Sequence, residues 1–129
     1  MWICGASIPR CFFEIRPEGA SYGFLLWQPR PDTMERFRQD LLGRPGHFPV
    51  LLERAAADSG LQLSAAPYKR PKPCPNDAVA PFFSWKNNLE AIAEVPVGDE
   101  LFSPALAERV QRALEAWLPV SEYFYQFTN

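Results

Sequence analysis

The sequence predicts an α+β domain: an antiparallel sheet built on a β-hairpin, with helices packed on one face. Three observations carry this. Cys11 to Trp27, C-F-F-E-I-R-P-E-G-A-S-Y-G-F-L-L-W, reads as two strands rich in aromatic and branched residues, folded back at Pro17-Glu18-Gly19-Ala20. Helical periodicity lies downstream of this hairpin and is clearest in the last third of the chain. The regular β-α alternation of a parallel doubly wound sheet is missing.

The hairpin comes first. Gly19 supplies the positive φ that a tight turn needs, so closure at Glu18-Gly19 is expected. That closure sets Arg16 opposite Ser21, Ile15 opposite Tyr22, Glu14 opposite Gly23 and Phe13 opposite Phe24. Alternation then gives a core face of Cys11, Phe13, Ile15, Tyr22, Phe24 and Leu26. The other face is mixed: Phe12, Glu14, Arg16, Ser21, Gly23, Leu25 and Trp27. Ahead of the hairpin, Trp2 to Ser7 is short and apolar and reads as an edge strand, broken by Pro9-Arg10.

After Trp27, Pro31 at a first helical position and Asp32 in the first turn open a helix that Gly43 ends. Met34, Phe37, Leu41 and Leu42 form its inner side. A second helix is expected over Phe48 to Ala57, with Leu51, Leu52 and Ala55 inward and Ser59-Gly60 as its stop. Leu61 to Ala65 alternates and reads as a strand. An extended basic arm, Tyr68 to Pro75, follows, and Asn76 or Asp77 caps a short helix over Ala78 to Ser84. Leu89 to Val95 is a strand. Ser103-Pro104 caps the last helix, whose inner positions are Leu106, Val110, Ala113, Leu114 and Trp117, and Pro119 is expected to end it. Val120, Tyr123, Phe124 and Phe127 then give one or two further amphipathic turns.

Composition sets bounds on function. The 129 residues suit one domain and leave no room for a second core. A hydrophobic share of 47% excludes general disorder, and a net charge of −2 argues against an electrostatic nucleic-acid binder. No apolar run approaches a bilayer span and no signal core opens the chain, so the expected location is the cytoplasm and no membrane partner is expected. Cys4, Cys11 and Cys74 are too few and too scattered for a disulfide framework or a zinc site and read as structural thiols, with Cys74 the most exposed. No P-loop, Rossmann glycine run or metal-ligand spacing is present, so no cofactor or metal is expected. His47, the single histidine, lies in a helix joint and reads as a surface or capping residue.

The F-F-E-I-R-P-E-G-A-S-Y-G-F stretch, Tyr68-Lys69-Arg70-Pro71 and the late L-F-S-P-A-L resemble a bacterial family catalogued as domain of unknown function 2461. That family's pattern runs from an E-I-x-P-E-G turn through Y-G, a helix opening after a proline, Y-K-R-P and a lysine ahead of the next strand, to D-x-x-L-F-S-P-x-L. Here these fall in order at Glu14 to Gly19, Tyr22-Gly23, Pro31, Tyr68 to Pro71, Lys86 and Asp99 to Leu106. The preceding region of full members, with R-x-x-R-D-x-R-F and D-K-x-x-Y, has no counterpart, so the chain resembles a truncated member. The resemblance implies no activity, because the family has none established.

Two functional readings follow. In the first, the chain is a non-catalytic binding or structural domain, whose mixed hairpin face and basic arm contact a protein partner or a small anionic ligand. In the second, it is an enzyme or enzyme fragment acting on a phosphate- or carboxylate-bearing substrate. Glu14 would then be the acid/base, and Arg16, Lys69, Arg70 and Lys86 would bind charge. The bland alternative for Glu14 and Arg16 is a charge pair on a wet sheet face, and for the arm a solvated, proline-stiffened connector. Convergence of the five residues on one concave pocket would favour the enzyme. Apolar residues left on the mixed face, Phe12, Leu25 and Trp27, would favour self-association through an uncovered sheet face.

Overall fold

A computed structural model describes residues 8–99 and 101–128. The strand expected over Trp2 to Ser7, and Cys4 with it, lie outside the described residues. The fold is α+β. Strands β1 (Arg10–Arg16), β2 (Gly19–Leu26), β3 (Ser64–Pro67) and β4 (Trp85–Pro96) form one antiparallel sheet in the order β1-β2-β4-β3. Helices α1 (Pro31–Gly43), α2 (His47–Ser59) and α4 (Pro104–Tyr125) are the long ones, and α3 (Ala80–Phe83) follows a 3-10 turn at Asp77–Val79.

The hairpin forms two residues away from the expected register. Arg16 pairs with Gly19, Glu14 with Ser21, Phe13 with Tyr22 and Phe12 with Gly23. Pro17 and Glu18 are the corner, because proline's fixed φ suits the first corner position of a turn. Gly23 therefore does not face Glu14. A shift of two preserves the faces, so Tyr22, Phe24 and Leu26 are buried on the expected side. Gly23 is required by its other neighbour: at φ +146 a Cβ there would stand 2.0 Å from the Ala91 carbonyl oxygen of β4.

Phe13 and Ile15 share that face but are 44% and 53% exposed, against the expectation that they are buried. The reason is position. β1 is the sheet's outer strand, and the core closes over β2 and β4, where Phe24, Leu26, Leu89 and Ala91 are buried.

The core is aromatic. Phe24 stacks on Trp117 at 5.7 Å between ring centroids, and Phe37 meets Phe48 and Phe124 at 5.0 Å each. Burial of such rings is the largest favourable contribution to the fold. Helix α4 runs straight through Pro119, which was expected to stop it. Pro119 lies on the exposed side, and the turns beyond it bury Val120, Tyr123 and Phe124, which offsets the lost hydrogen bond. Strand β3 starts at Ser64 rather than Leu61, because the Leu61 N–H still donates to Ser59 Oγ in the turn that closes α2.

Candidate functional site

The residues singled out from the sequence do not share one place. Glu14 and Arg16 lie on the open sheet face, in a shallow hollow of about 360 Å³ with Arg10, Ser21 and Glu94. Among the described residues, Arg16 makes only long ion pairs, 3.7 Å to Glu18 and 3.9 Å to Glu94. Glu14 stands in the cross-strand row Glu14–Ser21–Glu94. Lys86 is on β4 too, eight positions from Glu94 toward the other end, about 25 Å at the usual rise per strand residue. The hairpin pair and the basic group therefore sit at opposite ends of the sheet.

At the Lys86 end the structure builds a cluster around one ring. The Tyr68 N–H donates to the Ser84 carbonyl at 2.9 Å, and the Lys72 N–H donates to Ser84 Oγ at 2.8 Å. These two bonds tie the arm back against the start of β4, so it is held rather than free. Around the Tyr68 ring stand Lys72 Nζ at 4.8 Å, Lys86 Nζ at 5.8 Å and the Arg38 guanidinium carbon at 5.8 Å from the centroid. The negative face of an aromatic ring attracts cations at such distances. Lys69 and Arg70 are exposed in the bend just beyond and make no ion pair among the described residues.

Arg38 is the anchor. Only 4% exposed, it pairs with Glu35 through Nη2 at 3.0 Å and Nε at 3.1 Å, and Nη1 reaches the Trp85 carbonyl at 3.4 Å. The Glu35 carboxyl is held below its ordinary value, first by the hydrogen bond from Gln39; burial opposes this, and Arg38 and Lys72 lower it further. Three cations and one carboxylate leave two positive charges in excess around the ring. Lys72 and Lys86 form no ion pair among the described residues, and Lys72 reaches the Glu35 carboxylate only as a field at longer range.

Sequence reasoning missed Arg38 and Glu35. The signal was present, because Met34, Phe37, Arg38 and Leu41 follow the i, i+3, i+4, i+7 spacing of a buried stripe. A charged residue on that stripe must be paired when buried. Lys72 and Tyr68 were in the expected arm, but no local pattern says that Lys86 and Arg38 reach the same ring.

The other reactive side chains are accounted for structurally. Burial pushes the Cys11 thiol up to about 11, which leaves little thiolate at neutral pH. Cys74 is half-buried and donates to the Asn76 carbonyl at 3.1 Å, so it is not the exposed thiol that was expected. His47 is exposed at the start of α2, with its ring 5.6 Å from that of Tyr123. Among the described residues no group of three or more His, Cys, Asp or Glu could hold a metal ion, and no helix is long and apolar enough to cross a membrane.

In comparison with known proteins, the family described as Conserved hypothetical protein (DUF2461) matches residues 4–123. No curated protein and no solved structure matches the chain.

Proposed function

The chain belongs to the conserved hypothetical protein family DUF2461, and from that premise we propose that it is a non-catalytic binding domain for a small anionic ligand. The ligand carries phosphate or carboxylate and is held at Tyr68, Lys72 and Lys86. The observation behind this reading is the gathering of three cations within 5.8 Å of one tyrosine ring with a single carboxylate to balance them. Crowded like charges repel, and a bound anion relieves that repulsion. Arg38, its donors already committed to Glu35 and Trp85, contributes field and position. Lys72 and Lys86, compact ammonium charges on flexible stems, close on the ligand. Lys69 and Arg70, exposed in the adjoining bend, widen the positive field.

Binding is favoured over chemistry because the polar groups of the cluster are already engaged: the Glu35 carboxylate accepts from Arg38 and Gln39, and Ser84 Oγ accepts from the Lys72 N–H. Glu14, the acid/base of the alternative reading, lies some 25 Å along the sheet from Lys86 by strand rise. The test is titration with inorganic sulfate, followed by backbone amide and Tyr68 ring shifts in NMR. Shifts are expected at Tyr68, Lys72 and Lys86. The double variant Lys72→Ala/Lys86→Ala should weaken affinity about tenfold, at roughly 0.7 kcal/mol for each exposed charge. Equal affinity in that variant, or shifts spread evenly over the surface, would reject the assignment.

A further inference from the structure

Strand β1 ends the order β1-β2-β4-β3, so among the described residues its outer side has no partner. In an antiparallel ladder every second residue of an edge strand turns its N–H and C=O outward. Counted from the closing pair Arg16–Gly19, these residues are Cys11, Phe13 and Ile15. Pro96, on the far side of Gly19, has no N–H to offer, which agrees with Gly19 bonding toward Arg16.

The same residues direct their side chains to the helix-covered face. There Phe13 and Ile15 form one wall of an apolar groove of about 500 Å³, and Leu106, Val110 and Leu114 of α4 form the other. Phe102, 78% exposed, lies at its end. An open strand edge beside an uncovered apolar groove is an association site.

We propose that a second copy of this chain occupies it, with β1 pairing antiparallel to β1 about a two-fold axis and joining two four-stranded sheets into one. Each copy offers both a ridge, Phe13 and Ile15, and a groove on α4. That is the self-complementarity an isologous contact requires. The charges select the register. With Phe12 on the axis, Arg10 faces the partner's Glu14 twice, Cys11 faces the partner's Phe13, and no like charges meet. With Phe13 on the axis, Arg10 meets the partner's Arg16; with Glu14 on it, two carboxylates meet. Both are unfavourable cross-strand pairs. With Cys11 or Ile15 on the axis, only three residues of each strand, 10–12 or 14–16, remain paired. This contact uses the sheet's edge, whereas the sequence pointed to its open face.

Sedimentation of the full chain at a range of concentrations tests the proposal. The protein is expected to be a dimer. Arg10→Glu and Glu14→Arg should each raise the dimer dissociation constant at least tenfold, and the two together should restore it, because the charges are then exchanged rather than matched. Paired across the axis without mutual backbone bonds, the Phe12 Cα atoms would stand about 4.5 Å apart, within disulfide reach. In a background with Cys4, Cys11 and Cys74 replaced by serine, Phe12→Cys should therefore cross-link on oxidation and Ile15→Cys should not. A chain that stays monomeric at all concentrations overturns the proposal and leaves the edge to other residues or another protein. So does a dimer indifferent to the single charge reversals.

Discussion

Ser59 holds together two elements far apart in sequence. Its hydroxyl accepts from the buried Trp117 indole N–H at 2.8 Å, donates to the Ala55 carbonyl at 2.7 Å, and accepts from the Leu61 N–H at 3.1 Å. Without it, the indole N–H would be buried with no partner. Ser59→Ala is expected to cost about 1–3 kcal/mol, read as a lower urea midpoint at unchanged slope. A loss below about 0.5 kcal/mol would mean that another acceptor takes over. Tyr123 has a matching role on the other side of the core. Its hydroxyl donates to Asp40 at 2.5 Å, while Asp40 also receives Arg44. Burial first, then the bond to Asp40, raises the phenol well above its ordinary value, so it stays protonated. Neither tie was legible in the sequence. Ser59 read only as a helix stop and Tyr123 only as an apolar position, because periodicity reports which side a residue faces and not which atom it meets.

At the level of elements the sequence was a good guide where the signal is local. α1 opens at Pro31 and closes at Gly43 as expected, and Ser103 caps α4 by accepting from the Leu106 N–H at 3.1 Å. Gly60 ends α2 in the left-handed region at φ 76. The errors came where a local preference met a larger tertiary one. Pro119 disfavours helix locally, yet the helix persists because Val120, Tyr123 and Phe124 must reach the core. Pro119→Ala would restore a backbone hydrogen bond at an exposed position. It is expected to stabilise the protein by about 1–3 kcal/mol, seen as a higher urea midpoint. A loss of stability instead would mean that proline's restriction of the unfolded chain outweighs the backbone hydrogen bond it removes.

For the whole molecule, the candidate site is assembled from three separate stretches: α1 with Glu35 and Arg38, the arm with Tyr68 and Lys72, and β4 with Lys86. The fold therefore couples pH to binding. Because the Glu35 carboxyl is depressed in the folded state, its contribution to stability is present above its unfolded value and is lost as pH falls through the folded one. Protonation also removes the carboxylate that competes with a ligand for Arg38 and Lys72. Sulfate, which keeps its charge in mild acid, is expected to bind more tightly as pH falls through the depressed folded value of Glu35. Glu35→Gln should raise its affinity about two- to fivefold at neutral pH and flatten that rise. Unchanged affinity in Glu35→Gln would separate this carboxylate from the binding event. The α+β class, the hairpin, and the helix ends other than the C-terminus of α4 were legible in the residues, because turn chemistry and periodicity act over a few positions. The outer place of β1, which leaves Phe13 and Ile15 open, and the meeting of Arg38, Lys72 and Lys86 at Tyr68 were not. They arise from strand order and helix packing, where residues dozens of positions apart meet for reasons no local pattern carries.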